Sequence, residues 1–202
     1  MGAEVTLPRF RSFLYFLSVL ALIGGAALLA YGQWSKPLLE ADRAIQARDS
    51  EGALRAYSVS VARFRERPPM QQLLREDYAR VAENQLAILY RTGQYETVID
   101  TAGSAPVDAA PHFWVGCAMF AKSLQEDGAE GQLQWLTRAE DEFKLALASE
   151  PGDWDTKYNY ELSARLVAAL RRPPKPGNKP SAIKLLRPEG PSQQREAPKK
   201  VG

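Results

Sequence analysis

The stretch FLYFLSVLALIGGAALLAY, residues 13–31, decides the class to which this chain belongs. Its 19 residues carry no charge, and the uncharged run extends from Ser12 to Ser35. An α-helix rises about 1.5 Å per residue, so the stretch would measure about 28 Å, close to the thickness of a bilayer's hydrocarbon core. The sequence therefore predicts a transmembrane helix over residues 13–34, with Trp34 in the interfacial position that tryptophan favours.

The residues that flank this helix indicate its orientation and leave one alternative open. Arg9 and Arg11 precede it and Lys36 follows it, so the excess of positive charge on the N-terminal side is small. We expect residues 1–12 in the cytoplasm of a bacterium and the rest of the chain in the periplasm, anchored in the inner membrane. The alternative is a cleaved signal peptide, although the apolar run is longer than the usual core of about 7–15 residues.

Residues 37–170 carry apolar side chains at helical spacing, without the alternation of a β-strand. Pro68, Pro69, Gly93 and Pro151 divide this region into short helices. We therefore predict an all-α domain of paired helices, in which a new helix begins after Pro37 and Gly93 ends another with a positive φ. The last helix, residues 153–170, is expected to cap the array with an apolar face made by four residues: Trp154, Tyr158, Leu162 and Leu166.

The small and aromatic residues of this region resemble the pattern of tetratricopeptide repeats, which have a period of about 34 residues. Ala139, Phe143, Ala146 and Pro151 stand at the relative spacings of the repeat's alanine, aromatic, alanine and proline. In such a hairpin, small residues let two helices approach closely while the aromatic fills the space beside them. We expect a degenerate array in which residues 131–134 form an insertion and Ala146 is packed too closely to accept a larger side chain.

Residues 171–202 differ sharply in composition from the domain before them. Seven prolines alternate with nine lysines and arginines, against Glu189 and Glu196 as the only acidic residues. Such a segment cannot bury enough apolar area to offset the entropy of ordering it, so we predict a disordered tail. The apolar island Ala182–Leu186 is either a docking motif or a chance cluster. The whole chain carries a net charge of only +2, which does not favour nucleic-acid binding.

The residues that usually carry chemistry are few. Cys117 and His112 are the only cysteine and histidine, so a disulfide framework, a zinc cluster or a Cys/His catalytic pair is not expected. Cys117 fits a buried small hydrophobe, and His112 a capping or packing residue. Asp153 and Asp155 suit a helix N-terminus better than a calcium loop, whose glycine and final glutamate are missing. We predict that the chain is not an enzyme and binds no cofactor or metal.

Residues 149–162, SEPGDWDTKYNYEL, carry a further resemblance. They resemble the ending P-x-x-W-x-x-x-Y-N-x-E-L-A of small repeat proteins that bacteria encode beside MoxR-type AAA+ ATPases and von Willebrand factor A proteins, the MxaK-like accessory proteins of methanol-oxidation clusters among them. Tyr160 and Ser163 stand where leucine and alanine are more usual. The resemblance implies a periplasm-facing adaptor that works with a MoxR-type ATPase complex and von Willebrand factor A-type membrane proteins in maturing a metalloenzyme such as methanol dehydrogenase.

A repeat array offers partners an inner groove lined mainly by the first helix of each pair. The polar and aromatic residues that we expect to face it are Asn84, Tyr90, Arg91 and Lys122. An ordinary solvated face remains an alternative for these four residues. A general envelope chaperone, or a repeat protein associated with a translocon, remains the alternative function.

Overall fold

The computed structural model describes residues 7–172, and within that range the chain forms helices and turns without a β-strand. The predicted all-α fold with a candidate membrane helix at its N-terminus is therefore confirmed. The first six residues and the tail beyond Arg172 lie outside the described residues, as does the apolar island predicted within that tail. Backbone contacts divide the chain into two compact units, Met1–Leu74 and Arg75–Gly202.

The first unit begins with one long helix, α1, which spans Leu7–Gln46. The apolar part of α1 is exposed along its length, and Leu22 and Leu28 are each 74% exposed. This helix is long and apolar enough to cross a membrane. A new helix was expected after Pro37, but α1 continues through Pro37, so that the apolar segment and the first helix of the hairpin are one element.

A side chain from the next helix explains why Pro37 does not end α1. Proline lacks the N–H that would bond to the carbonyl of Gln33, four residues earlier. Helix α2, Ser50–Glu66, packs back along α1, and Nη1 of its Arg63 donates to the Gln33 carbonyl at 3.4 Å and to that of Trp34 at 3.5 Å. The ring of Trp34 meets that of Phe64 edge-on, with centroids 5.2 Å apart. Arg63 thus satisfies the carbonyl that Pro37 leaves free.

Small residues and one hydrogen bond join the rest of this hairpin. Ala41 of α1 and Ala53 of α2 are fully buried, and the Tyr57 hydroxyl donates to Asp42 Oδ1 at 3.2 Å. Arg48, with φ 59°, occupies the left-handed position after α1. Pro68 and Pro69 do not merely follow α2: they form the first turn of the short helix α3, Pro68–Leu73, where proline is well tolerated.

The second unit contains five α-helices and a 3₁₀ turn within the described residues. They are α4 Arg75–Arg91, α5 Tyr95–Ala102, the turn Val107–Ala109, α6 Pro111–Gln125, α7 Ala129–Ser149 and α8 Trp154–Leu170. Residues 131–134, expected to form an insertion, instead belong to the first turns of α7, because the helix begins directly after Gly128. The buried Gln132 among them donates to the Glu126 carbonyl at 2.7 Å and so ties α7 to the loop before it.

Gly93 ends α4 as predicted, with a positive φ of 76°. Its N–H donates to the Tyr90 carbonyl at 3.0 Å, and the N–H of Gln94 donates to that of Leu89 at 2.9 Å. This pair of bonds satisfies carbonyls that the end of a helix leaves free, and it requires a left-handed residue at position 93. The turn after α1 has the same pair of bonds, with Arg48 in the place of the glycine.

Helices α6 and α7 pack closely through a glycine. A Cβ added at Gly116 would lie 2.7 Å from Cε1 of Phe143, a side chain that is only 1% exposed. Ala139, one turn before Phe143, is fully buried, in keeping with a small residue at a close helix contact. Ala146 differs from this expectation: it is half-buried and lines an open cleft between the start of α6 and the end of α7.

Candidate protein-binding surface

Two aromatic side chains on the last described helix are largely exposed to solvent. Trp154 is 78% exposed and Tyr158, one turn later, is 68% exposed. The Lys157 ammonium lies 4.9 Å from the centre of the Trp154 ring. Asp153 holds this end of α8 in place, since its carboxylate accepts from the backbone N–H groups of Asp155 and Thr156, each at 3.1 Å. We call Trp154, Lys157 and Tyr158 the α8 aromatic surface.

Trp154 and Tyr158 were expected on the apolar face of α8 together with Leu162 and Leu166, and this prediction is wrong, because both aromatics are exposed. Leu166, Val167 and Leu170 form the buried face, where they pack against Leu136 of α7. Each step of four residues advances about 40° around a helix, so a series of such steps drifts from one face to another. Between Trp154 and Leu166 the drift amounts to about 120°, which is enough to take the first member of the series into solvent.

A cleft of about 320 Å³ lies beside the first turn of α8. The 3₁₀ turn, the start of α6, the end of α7 and the start of α8 all contribute to it, and its lining includes Asp108, His112, Ala146, Glu150, Asp153 and Thr156. His112 Nδ1 lies 2.8 Å from Glu142 Oε2. Arg75 Nη2 donates to Asp108 Oδ1 at 2.9 Å. Polar groups that line the cleft are therefore held by hydrogen bonds, and Ala146 contributes a small apolar side chain to the lining.

Carboxylates dominate the electrostatics of the cleft. The pKa of Asp153 is lowered, chiefly because the Thr156 side chain donates a hydrogen bond to its carboxylate, so this group stays ionised. The pKa of Glu83 is raised, first by burial and then by the negative charge of Glu150. Glu150 and Asp153 thus place negative charge on one side of the cleft, whereas the carboxylate of Asp108 is paired with Arg75.

A second group of aromatics surrounds Tyr90, one of the residues expected to face the groove. Its ring lies 5.6 Å from that of Tyr95 and 5.9 Å from that of Trp114. The pKa of Tyr90 is raised, first by burial and then by its proximity to Cys117 and Tyr95. Tyr90 is half-buried and holds α4 against α5 and α6. Its main contribution is therefore to packing inside the unit.

The other three predicted groove residues differ in exposure. Lys122 forms an ion pair with Glu96, its ammonium lies 4.6 Å from the centre of the Trp135 ring, and its side chain is only 16% exposed. It thus joins α5, α6 and α7 more than it offers a charge to solvent. Asn84 is half-buried, whereas Arg91 is exposed with Nε donating to the Ala87 carbonyl at 3.3 Å. In the first turn of α5, Tyr95 contacts Tyr90 and Glu96 pairs with Lys122. Arg91 is therefore the one of the four predicted residues that is exposed.

The residues that could carry covalent or metal chemistry are occupied in other ways. Burial raises the pKa of the Cys117 thiol to about 12, which makes it a poor nucleophile near neutral pH. His112 is engaged with Glu142. Among residues 7–172, no group of three or more histidines, cysteines and carboxylates has the arrangement of a metal site.

The chain matches no family model, no curated protein and no solved structure. Its class therefore follows from the fold and surface alone: it is an all-α protein of packed helical hairpins with a candidate membrane helix at its N-terminus. Sequence reasoning missed the α8 aromatic surface and the cleft. The surface could have been found by following the helical angle residue by residue, whereas the cleft depends on the packing of four separate elements.

Proposed function

We propose that this protein is a membrane-anchored adaptor that binds partner proteins through the α8 aromatic surface. The observation that carries the proposal is the exposure of Trp154 and Tyr158 side by side on one face of α8. Tryptophan and tyrosine are enriched at the sites that contribute most to protein–protein binding, because they bury a large area and keep a polar tip for hydrogen bonding. Here the charged Lys157 lies next to them, as is common at the edge of such a contact.

The cleft supports the same proposal. The cleft is lined by Asp153 at the N-terminal end of α8, and Trp154 stands at the same end of that helix, so a partner that wraps around this helix end contacts both the aromatics and the carboxylates. An apolar or aromatic group of the partner packs on Trp154 and Tyr158, and a lysine or arginine enters the cleft. Backbone and side chains in this region are held by the Asp153 cap, which lowers the entropy lost on binding.

The resemblance noted in the sequence suggests which partners to test. Trp154 and Tyr158 are the aromatic positions of the motif P-x-x-W-x-x-x-Y, which resembles the ending of MxaK-like repeat proteins. We therefore propose a MoxR-type ATPase complex or von Willebrand factor A-type membrane proteins as partners, and the maturation of a periplasmic metalloenzyme of the methanol dehydrogenase type as the process. The exposed aromatics support a binding role of this kind, and the identity of the partners rests on the resemblance alone.

The proposed location is the bacterial inner membrane, with α1 spanning it and the remainder of the chain in the periplasm. The protein should remain in the membrane fraction after an alkaline carbonate wash and should keep its original N-terminus. A reporter that is active only in the periplasm should work when fused after Gly202. A soluble product that begins near Tyr31 would show a cleaved signal peptide instead, and activity only from a cytoplasmic reporter would reverse the orientation.

The binding role is tested by affinity purification from the native membrane with full-length protein. The variant carrying Trp154→Ala and Tyr158→Ala should lose most of the recovered partner, because truncation of one central aromatic commonly costs about 2 kcal/mol or more in binding. Leu145→Ala is the matched control, since Leu145 is also exposed, at 48%, but lies on α7. Arg91→Ala tests the originally predicted groove without removing a packed ring.

Three results would change the proposal. Equal recovery with the double variant and with the wild type would exclude the α8 aromatic surface as the contact. Loss of partner only in Arg91→Ala would move the contact to the end of α4. Recovery of a broad mixture of unfolded envelope proteins, in place of a small fixed set, would favour the general chaperone.

A further inference from the structure

The end of α2 brings cations to the point where the apolar segment of α1 stops. Trp34 follows Tyr31 by three residues, which is about 4.5 Å along the helix. The Arg67 guanidinium carbon lies 5.6 Å from the centre of the Trp34 ring, and Arg63 Nη1 lies 3.5 Å from the Trp34 carbonyl oxygen. Two arginines from a later part of the chain are thereby held beside the helix at the level of Trp34.

Lys36 adds a third positive charge at the same depth along α1, on the other side of the helix from Trp34. It is exposed on α1, two residues beyond Trp34 and about 7.5 Å along the helix from Tyr31. Arg67 is exposed as well, whereas Arg63 is half-buried by its bonds to the backbone of α1. We call Lys36, Arg63 and Arg67 the juxtamembrane basic surface.

The depth of these cations matches one layer of a bilayer. Polar headgroups occupy about 5–8 Å on each side of the hydrocarbon core, which is the difference between a core of about 30 Å and a total thickness of about 40–45 Å. With the apolar stretch of α1 across the core, the three cations fall within this layer, where the phosphate groups of the lipids are found. Arginine is well suited to phosphate, since its planar guanidinium can donate two parallel hydrogen bonds.

We propose that the juxtamembrane basic surface binds the headgroup of an anionic phospholipid. A groove of about 480 Å³ between α1 and α2 is lined by Lys36, Arg55 and Arg63 against one carboxylate, that of Glu40, which gives the headgroup a recess of net positive charge next to the membrane. In this groove the lipid phosphate contacts Lys36 beside Arg63, which remains bonded to the Gln33 carbonyl, while Arg67 lies outside the groove over the Trp34 ring and adds positive charge within the same headgroup layer. The bound lipid thus stabilises the part of α1 in which Pro37 has removed a backbone hydrogen bond.

This inference rests on the membrane anchorage proposed above, and it is independent of the partner proteins. The test uses purified full-length protein in micelles that contain equal amounts of phosphatidylglycerol and phosphatidylcholine. Native mass spectrometry measures the ratio of the two lipids that remain bound. The wild type should retain phosphatidylglycerol in clear excess, and the excess should fall as salt is raised, because salt screens exposed charges.

Charge-matched variants separate this surface from a general effect of net charge. Lys36→Gln with Arg67→Gln should lower the preference for phosphatidylglycerol roughly thirtyfold, since each cation near a membrane surface contributes roughly fivefold. Lys36→Gln alone should lower it roughly fivefold, and this variant leaves the Arg67–Trp34 contact intact. Arg43→Gln with Arg48→Gln removes the same charge from exposed residues at the other end of the hairpin, and should change the ratio less than about twofold.

Four outcomes would overturn the proposal. The first is a wild type that retains both lipids equally, and the second is an equal loss in the two double variants. The third is displacement of the bound lipid by inorganic phosphate at millimolar concentration, which would identify a site for free phosphate. The fourth is release of the protein by the carbonate wash, which removes the anchorage itself. Failure of the partner purification alone would leave the lipid result standing.

Discussion

Replacement of Gly116 by alanine tests how closely α6 and α7 pack. A Cβ at this position would lie 2.7, 2.8 and 3.0 Å from three ring carbons of Phe143, closer than carbon atoms normally approach. The ring has little room to move, because it is 1% exposed and Phe113 stands beside it with centroids 6.3 Å apart. Overpacking of this kind in a full core costs about 1–3 kcal/mol.

The expected stability change must also include helix propensity. Alanine is more favourable than glycine inside a helix by about 1 kcal/mol, so this gain offsets part of the overpacking cost at Gly116. Gly131→Ala is the matched control in α7, because a Cβ there meets chiefly the carboxylate end of Glu126, 2.9 Å away on a long side chain. We therefore expect Gly116→Ala to be less stable than Gly131→Ala by about 1–3 kcal/mol.

Urea titration of full-length protein in micelles, followed by far-UV circular dichroism, measures this difference. The midpoint should shift while the slope stays constant, which indicates that only stability has changed. A smaller side chain at the partner position should relieve the contact, so Phe143→Leu is expected to cost less in the presence of Gly116→Ala than alone. Equal or greater stability of Gly116→Ala relative to Gly131→Ala would show that the two helices do not approach as closely as described.

Three further predictions follow from individual side chains. Gly93 and Arg48 both have positive φ, a conformation that glycine adopts without the steric cost that other residues incur. Gly93→Ala should therefore destabilise the protein by about 1 kcal/mol, and Arg48→Gly should stabilise it by a similar amount. Urea midpoints that move in the opposite directions would contradict this. Cys117 should react with iodoacetamide at pH 8.5 far more slowly in the folded protein than in urea, and rapid labelling of the folded protein would exclude the burial. The raised pKa of its thiol also stabilises the fold below the pKa of the unfolded chain, and this contribution is lost as the pH rises towards about 12. Ala146→Leu should change the free energy of unfolding by less than about 0.5 kcal/mol, and it should weaken partner recovery because the larger side chain fills the cleft. Ala148→Leu, at an exposed position, is the control. A large loss of stability in Ala146→Leu would support the tight packing expected from the sequence.

Local features of this chain were predictable where a single residue type determines the backbone. Gly93 was expected to end a helix with positive φ, and it does, because the left-handed conformation strongly favours glycine. The sequence gives no such indication for Arg48, which adopts the same conformation because the turn requires it. The all-α class and the candidate membrane helix were predictable for a similar reason, since apolar spacing and length depend on nearby residues.

Features that depend on distant residues were not predictable in the same way. Pro37 suggests the end of a helix, and the donor to the carbonyl that it leaves free comes from Arg63, 26 positions later in the sequence. Trp154 and Tyr158 look like core residues because they are large and apolar, but no helix within the described part of the chain covers them. Lys122 has the composition of a binding residue, and its pairing with Glu96 became evident only when α5 was placed beside α6.

The continuity of α1 has a mechanical consequence. One continuous helix includes both the apolar segment and the first helix of the hairpin. From Tyr31 to Gln46 the helix extends about 22 Å, so a change in its inclination of about 10° would displace the far end by about 4 Å. Membrane helices tilt further when the bilayer becomes thinner. With α1 across the membrane as proposed, a change of bilayer thickness would change the tilt of α1, and a change of lipid chain length would displace the turn at Arg48.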